Sequence, residues 1–103
     1  MTMADRERDF ENRYIHDQEL KFRIRARRNK LVGLWAAEKL GKTDSDANAY
    51  AQEIVRVDFE KPGDDDVFDH LKADLGDQGI SDAEIHAKME ELLSQAEQQV
   101  MSE

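Results

Sequence analysis

Apolar residues recur at helical spacing in four separate stretches of this chain, and glycine or proline marks each break between them. Ile85, Met89, Leu92, Ala96 and Val100 fall at spacings of 4, 3, 4 and 4, a continuous stripe on one helical face that Leu93 widens. Ser81-Asp82-Ala83-Glu84 precedes them as a capping box, in which the Ser81 hydroxyl accepts a free backbone N–H and Glu84 reaches back to that of Ser81. Ile80 and Ile85 flank it at hydrophobic-staple spacing, and a helix over about 82–100 follows. Val67, Leu71 and Leu75, widened by Phe68, predict a shorter helix over about 65–75. It opens in GDDDVFDHL, whose aspartates suit a positive helix N-terminus, and Gly76 is its expected C-terminal cap. Tyr50, Ile54 and Val57, with Val55 and Phe59 beside them, predict a helix over about 45–60 that starts near TDSD. Gly41, Pro62-Gly63 and the Gly76/Gly79 pair supply the breaks.

The first stretch is harder to assign. Lys21-Phe22-Arg23-Ile24-Arg25-Ala26-Arg27 alternates polar and apolar with period two, the pattern of a half-buried strand. No turn residues bound it, its flanks favour helix, and no other segment offers a strand partner. Leu20 and Ile24 also fit a helical stripe resuming at Leu31 and Leu34/Trp35. The acid-first pairs Asp17–Lys21 and Glu19–Arg23 each support a helix by a few tenths of a kcal/mol. One helix over about 19–40 is the reading. Upstream, Phe10, Tyr14 and Ile15 are the only large apolar residues apart from the starting methionines. Asp9–Arg13 and Phe10–Tyr14 are helical pairs, yet they make no face wide enough to bury against a bundle. The expected fold is therefore all-α: a four-helix bundle over 19–103 behind a weakly ordered N-terminal arm, 1–18, disordered or partly helical when free.

Composition narrows the class. The chain of 103 residues fits one domain, and with no cysteine it has neither disulfides nor thiolate metal sites. The charged N-terminus lacks the apolar region of a secretory signal, and no apolar run approaches the roughly 18 residues of a membrane span. A soluble intracellular protein is expected.

Charge changes the picture further. Residues 1–30 hold nine Lys/Arg and six acids, a net of +3, whereas the rest of the chain carries −12. The acidic body would repel a polyanion, so the basic stretch 21–30 is read first as pairing with acidic helices two and three. A protein partner or small anion comes next, and nucleic acid last.

Two familiar motifs begin and fail. Gly41-Lys42-Thr43 resembles the end of a phosphate-binding loop, but Ala36 stands where its first glycine is needed, and AAEKL is helix-forming. Asp44-x-Asp46-x-Asn48 starts like a calcium loop, but Ala49 and Val55 replace its glycine and its twelfth-position glutamate. Capping accounts for both. His16, His70 and His86 are isolated and read as solvated helix faces, with Asp74 and Glu90 four residues beyond the last two. No catalytic or metal-binding residues emerge, no cofactor is required, and an enzyme is not expected.

ARRNKLVGLWAAEKLG, residues 26–41, resembles the zeta subunit of alphaproteobacterial F-type ATP synthase, an ATPase inhibitor family first known as a domain of unknown function. The similarity continues through DRERDFENRYIHDQELKF, DANAYAQEIVRVDFEKPGDDDVF and KMEELL, and so spans essentially the whole chain. The resemblance implies a four-helix regulatory subunit. Its N-terminal segment enters the interface between catalytic subunits and blocks rotation in the hydrolytic direction. Carried over by position, that segment is about Ala4 to His16, with Asp5, Arg6, Arg8, Phe10, Arg13 and Tyr14 as its partner-binding residues. The implied partners are the alpha, beta and gamma subunits of the catalytic head. The implied location is cytoplasmic and peripheral to the inner membrane through the synthase, with no direct membrane insertion. The family is also associated with ADP/ATP as a regulatory ligand. No motif places that site here; Arg27, Arg28 and Lys30 beside Trp35 are the candidates. The alternative function is an adenine-nucleotide-sensing or nucleic-acid-binding helical module that uses the basic stretch 21–30.

Overall fold

The computed structural model describes residues 3–60 and 64–103, with side chains described over 17–60 and 66–103. It has four helices: α1 (Met3–Lys39), α2 (Asp44–Glu60), α3 (Asp64–Leu75) and α4 (Asp82–Met101), with a short 3-10 turn at Gly76–Gln78. No strand occurs among the described residues. The expected Pro62-Gly63 break lies outside them, as do the side chains of Asp64 and Asp65. The period-two stretch is helical throughout, and the first helix, expected over 19–40, is the C-terminal part of a longer one.

The long α1 packs mainly against α2 and α4, and α3 closes the bundle against α2, α4 and α1. The core joins Val32, Ala36 and Ala37 of α1 to Tyr50 and Ile54 of α2, Val67, Leu71 and Leu75 of α3, and Ile85, Met89 and Leu92 of α4. Fully burying a side chain such as Ile54, Leu71 or Leu75 stabilises the fold by about 1.5–3 kcal/mol. The expected stripe of α4 is buried in full, as are Val67, Leu71 and Leu75.

Two faces differ from the apolar pattern. On α1 the buried row is Arg28/Asn29, Val32/Gly33 and Ala36/Ala37, and the larger Leu31 and Trp35 sit at its edge, only partly buried. A helix flanked on two sides must present small residues to at least one neighbour, because bulky ones hold the axes apart. On α2 the row runs Tyr50/Ala51, Ile54 and Asp58; Val57, expected on the buried face, is only partly covered.

Gly33 sets the closest approach. A Cβ added there would lie 2.6 Å from the Cα of Ala51, 3.2 Å from its Cβ and 3.3 Å from Cγ1 of Ile54. The first of these is backbone, so the helices themselves must separate. Gly33→Ala is expected to destabilise the bundle by about 1–2 kcal/mol, since overpacking costs about 1–3 kcal/mol and the better helix propensity of alanine returns up to ~1 kcal/mol. Thermal unfolding reads it directly; an unchanged or raised midpoint would contradict so close an approach of α1 and α2.

The caps are local. Gly41, at φ 77°, ends α1 in a Schellman motif, with the Gly41 N–H donating to the Glu38 carbonyl at 3.1 Å and that of Lys42 to Ala37 at 2.9 Å. Ser81 caps α4 by accepting from the Glu84 N–H at 3.2 Å. After α3, Gly76 enters the 3-10 turn instead of capping the helix. Gly79, at φ 75°, takes the left-handed position, because the turn tightens for three residues before the chain reverses.

Candidate functional site

Chemistry-bearing side chains gather where α1 leaves the bundle, beside the C-terminal ends of α2 and α4. Asp58 is the hub. Its carboxylate accepts a bidentate pair from Arg25, Nε at 2.6 Å and Nη2 at 2.7 Å, and a third bond from Asn29 Nδ2 at 2.8 Å. The Oδ1 of Asn29 in turn accepts from Arg28, Nε at 3.0 Å and Nη2 at 2.8 Å. Arg28, Asn29 and Asp58 are all buried, so the polar chain lies between helices. Burial alone would raise the Asp58 pKa. The hydrogen bonds from Arg25 and Asn29 and the charges of Arg25 and Arg28 outweigh it and hold the carboxyl below the usual carboxylate range.

A second clamp lies beside the first. Arg23 Nη2 donates to Glu103 Oε2 at 2.5 Å, Arg27 Nη2 donates to Glu103 Oε1, and Arg27 Nη1 donates to Gln99 Oε1 at 2.9 Å. The hydrogen bond from Arg27, with the charges of Arg27 and Arg23, holds the Glu103 carboxyl below its ordinary range. These exposed pairs position more than they stabilise. Among the described residues, the basic stretch finds one acid on helix two, Asp58, and one that follows α4, Glu103; Arg23 and Arg27 turn a different face of α1 from Arg25.

Among the described residues the arrangement contains no nucleophile aimed at a base. What it does is fix the direction of α1. The sequence signal that could have found Asp58 is its position four residues after Ile54 on the buried face, where an acid demands a cation opposite.

Acid should loosen this junction. The folded-state pKa of Asp58 lies below its unfolded value, so its contribution is complete above about pH 4 and is lost as pH falls through the folded value. Urea midpoints between pH 5 and pH 2 are expected to drop more steeply in the parent than in Asp58→Asn; parallel slopes would rule the assignment out.

The proposed nucleotide residues separate. Arg27 is held by Glu103 and Gln99, Arg28 lies buried against Asn29, Lys30 is exposed, and Trp35 packs against the core. Arg27 and Lys30 line one groove, which Arg28 and Trp35 do not share. Of the histidines, His86 is exposed and stacks on Phe68 with centroids 4.0 Å apart. His70 is not a solvated face: its Nε2 is buried, 3.3 Å from Asp74 Oδ2 and 3.8 Å from Glu53 Oε1. Tyr50 donates to the same Asp74 oxygen at 2.7 Å, and burial with that bond pushes its phenol well above the usual range. The side chain of His16 and those of Asp5, Arg6, Arg8, Phe10, Arg13 and Tyr14 lie outside the described set. Among the described residues no three acids or histidines converge as metal ligands, and no helix is long and apolar enough to cross a membrane.

The family model for ATPase inhibitor subunit zeta matches residues 1–99. The chain belongs to that family. A solution NMR structure of a protein with 47% identity superposes at a TM-score of 0.73, over 81% of this chain and 96% of that one. No curated protein sequence matches significantly. The family is named for an ATPase inhibitor subunit, which makes it one of regulatory proteins.

Proposed function

We propose that the protein inhibits ATP hydrolysis by an F-type ATP synthase, with its N-terminal segment, about Ala4 to His16, entering the interface between catalytic subunits of the head. The observation that carries this reading is the length of α1. Its 37 residues span about 55 Å at 1.5 Å per residue, against about 30 Å for the 20 residues of α4. The ends of α2 and of the chain meet α1 at Phe22 and Arg23, and its backbone continues to Met3 beyond both. A helix that outruns its own bundle, braced at the exit by Arg25–Asp58, suits a lever inserted into a partner.

Fixing the segment in one bound conformation costs up to about 1–2 kcal/mol per residue, which the partner's contacts together must exceed, with Phe10 and Tyr14 contributing most as apolar anchors. Arg6, Arg8, Arg13 and Asp5 supply charge for specificity. Adding the protein to purified synthase head while following ATP hydrolysis tests the reading. A dose-dependent fall is expected, and undiminished hydrolysis at saturation would refute it.

A further inference from the structure

The exit of α1 also carries the bundle's open apolar surface. Among the described residues, Phe22, Phe59 and Met101 are the large apolar side chains left most exposed, at 58%, 69% and 67%. Phe22 and Phe59 are not scattered. Their rings meet edge to face with centroids 6.1 Å apart, one from α1 and one from α2. With Ala26 and Val55 they wall a groove of about 250 Å³, whose floor is the Arg25–Asn29–Asp58 cluster. An aromatic pair this open gains nothing from water, whereas a firm polar floor keeps the groove in shape.

The rim is cationic although the chain carries −9. The groove continues past Ala26 and Val55 to Arg23, Arg27 and Lys30. One carboxylate already sits there, that of Glu103 between Arg23 and Arg27, so the rim has the geometry to take such groups. Lys30 is exposed and pairs with no acid among the described residues. Apolar walls with a basic margin fit a helix that carries an apolar anchor flanked by Asp or Glu.

We infer that this α1–α2 groove is a second docking site for the inhibited synthase head, taking an acidic amphipathic helix of that partner. The inference rests on the proposed function and extends it: the groove lies along the same helix that runs into the inhibitory segment. One partner therefore contacts both, and the groove supplies affinity while the segment supplies the block.

The test uses the full chain. Phe22→Ser/Phe59→Ser and, separately, Lys30→Glu are compared with the parent for equilibrium binding to purified synthase head and for maximal inhibition of hydrolysis. The aromatic variant is expected to bind about tenfold or more weakly, as loss of a central aromatic anchor does. It should still reach the parent's maximal inhibition at saturation. Lys30→Glu should weaken binding roughly threefold through the lost rim charge. Both variants should keep the parent's thermal midpoint within a few degrees, because the altered side chains are exposed. Parent-like affinity of the aromatic variant overturns the groove and leaves the inhibitory segment standing. Weakening by the aromatic variant with none from Lys30→Glu overturns the acidic partner. A parent chain that neither binds nor inhibits removes the proposed function, and the groove's occupant with it.

Discussion

A chain beginning at Asp17 is expected to lose nearly all inhibition of ATP hydrolysis while its bundle unfolds at close to the parent temperature. Among the described residues every buried core residue lies downstream of that point, from Val32 to Val100, and so do the Schellman cap at Gly41 and the Ser81 cap. The deletion shortens α1 on the far side of the Arg25–Asp58 brace and removes none of its members. What it takes away is the proposed anchor pair and the helix that aims it. Residual binding through the bundle, with little inhibition, is the expected signature. Phe10→Ala with Tyr14→Ala should raise the concentration for half-inhibition by about tenfold or more, the scale of losing aromatic anchors from a buried contact. Equal inhibition by the truncated chain would sink the segment mechanism.

Asp58→Ala is expected to be the most costly single change at the junction, at about 2–3 kcal/mol. Breaking a buried pair leaves the partner uncompensated, which costs about 3–5 kcal/mol when both groups are enclosed. Here the Arg25 side chain is 42% exposed and can turn to water, so the full figure does not apply. Asn29, 1% exposed, cannot turn: its Nδ2 loses its acceptor and pays desolvation without return. Arg28, hydrogen-bonded to Asn29, loses the nearby negative charge that the fold places beside it. Chemical denaturation would register the loss as a lower midpoint at an unchanged slope. A double-mutant cycle separates the pair: Arg25→Ala should cost less in the Asp58→Ala background than in the parent. Additive costs would mean that the two residues act independently, contrary to the bidentate geometry.

The legible parts of the sequence were those in which one helix face, one cap or one motif is complete within a few residues. The stripe from Ile85 to Val100 and the Ser81 cap need only local spacing, and both are present. The spacing of Val67, Leu71 and Leu75 was equally sufficient. The ARRNKLVGLWAAEKLG stretch pointed to the zeta family, to which the chain belongs. Less legible were faces whose burial depends on two neighbours at once. Large apolar residues on α1 suggested the core face, yet the small residues Gly33, Ala36 and Ala37 hold it with Val32. Asp58 is one of 24 acidic residues, and although its spacing from Ile54 puts it on the buried face of α2, the cations that answer it lie on another helix. The candidate nucleotide residues looked contiguous in sequence, but a helix turns 100° per residue and sends Arg27 and Arg28 to different surroundings.

By itself, then, the sequence determined the helical class, the position of most breaks and the two most regular apolar stripes, since helical periodicity and capping act over three or four residues; the family it showed by the likeness of whole stretches such as ARRNKLVGLWAAEKLG. The tertiary structure decided which acids answer the basic stretch, that Gly33 lets α1 and α2 approach, and that Phe22 meets Phe59 across the exit of α1. Those pairings join residues 18 to 80 positions apart, and their partners are selected by packing and desolvation between helices, which no local pattern encodes.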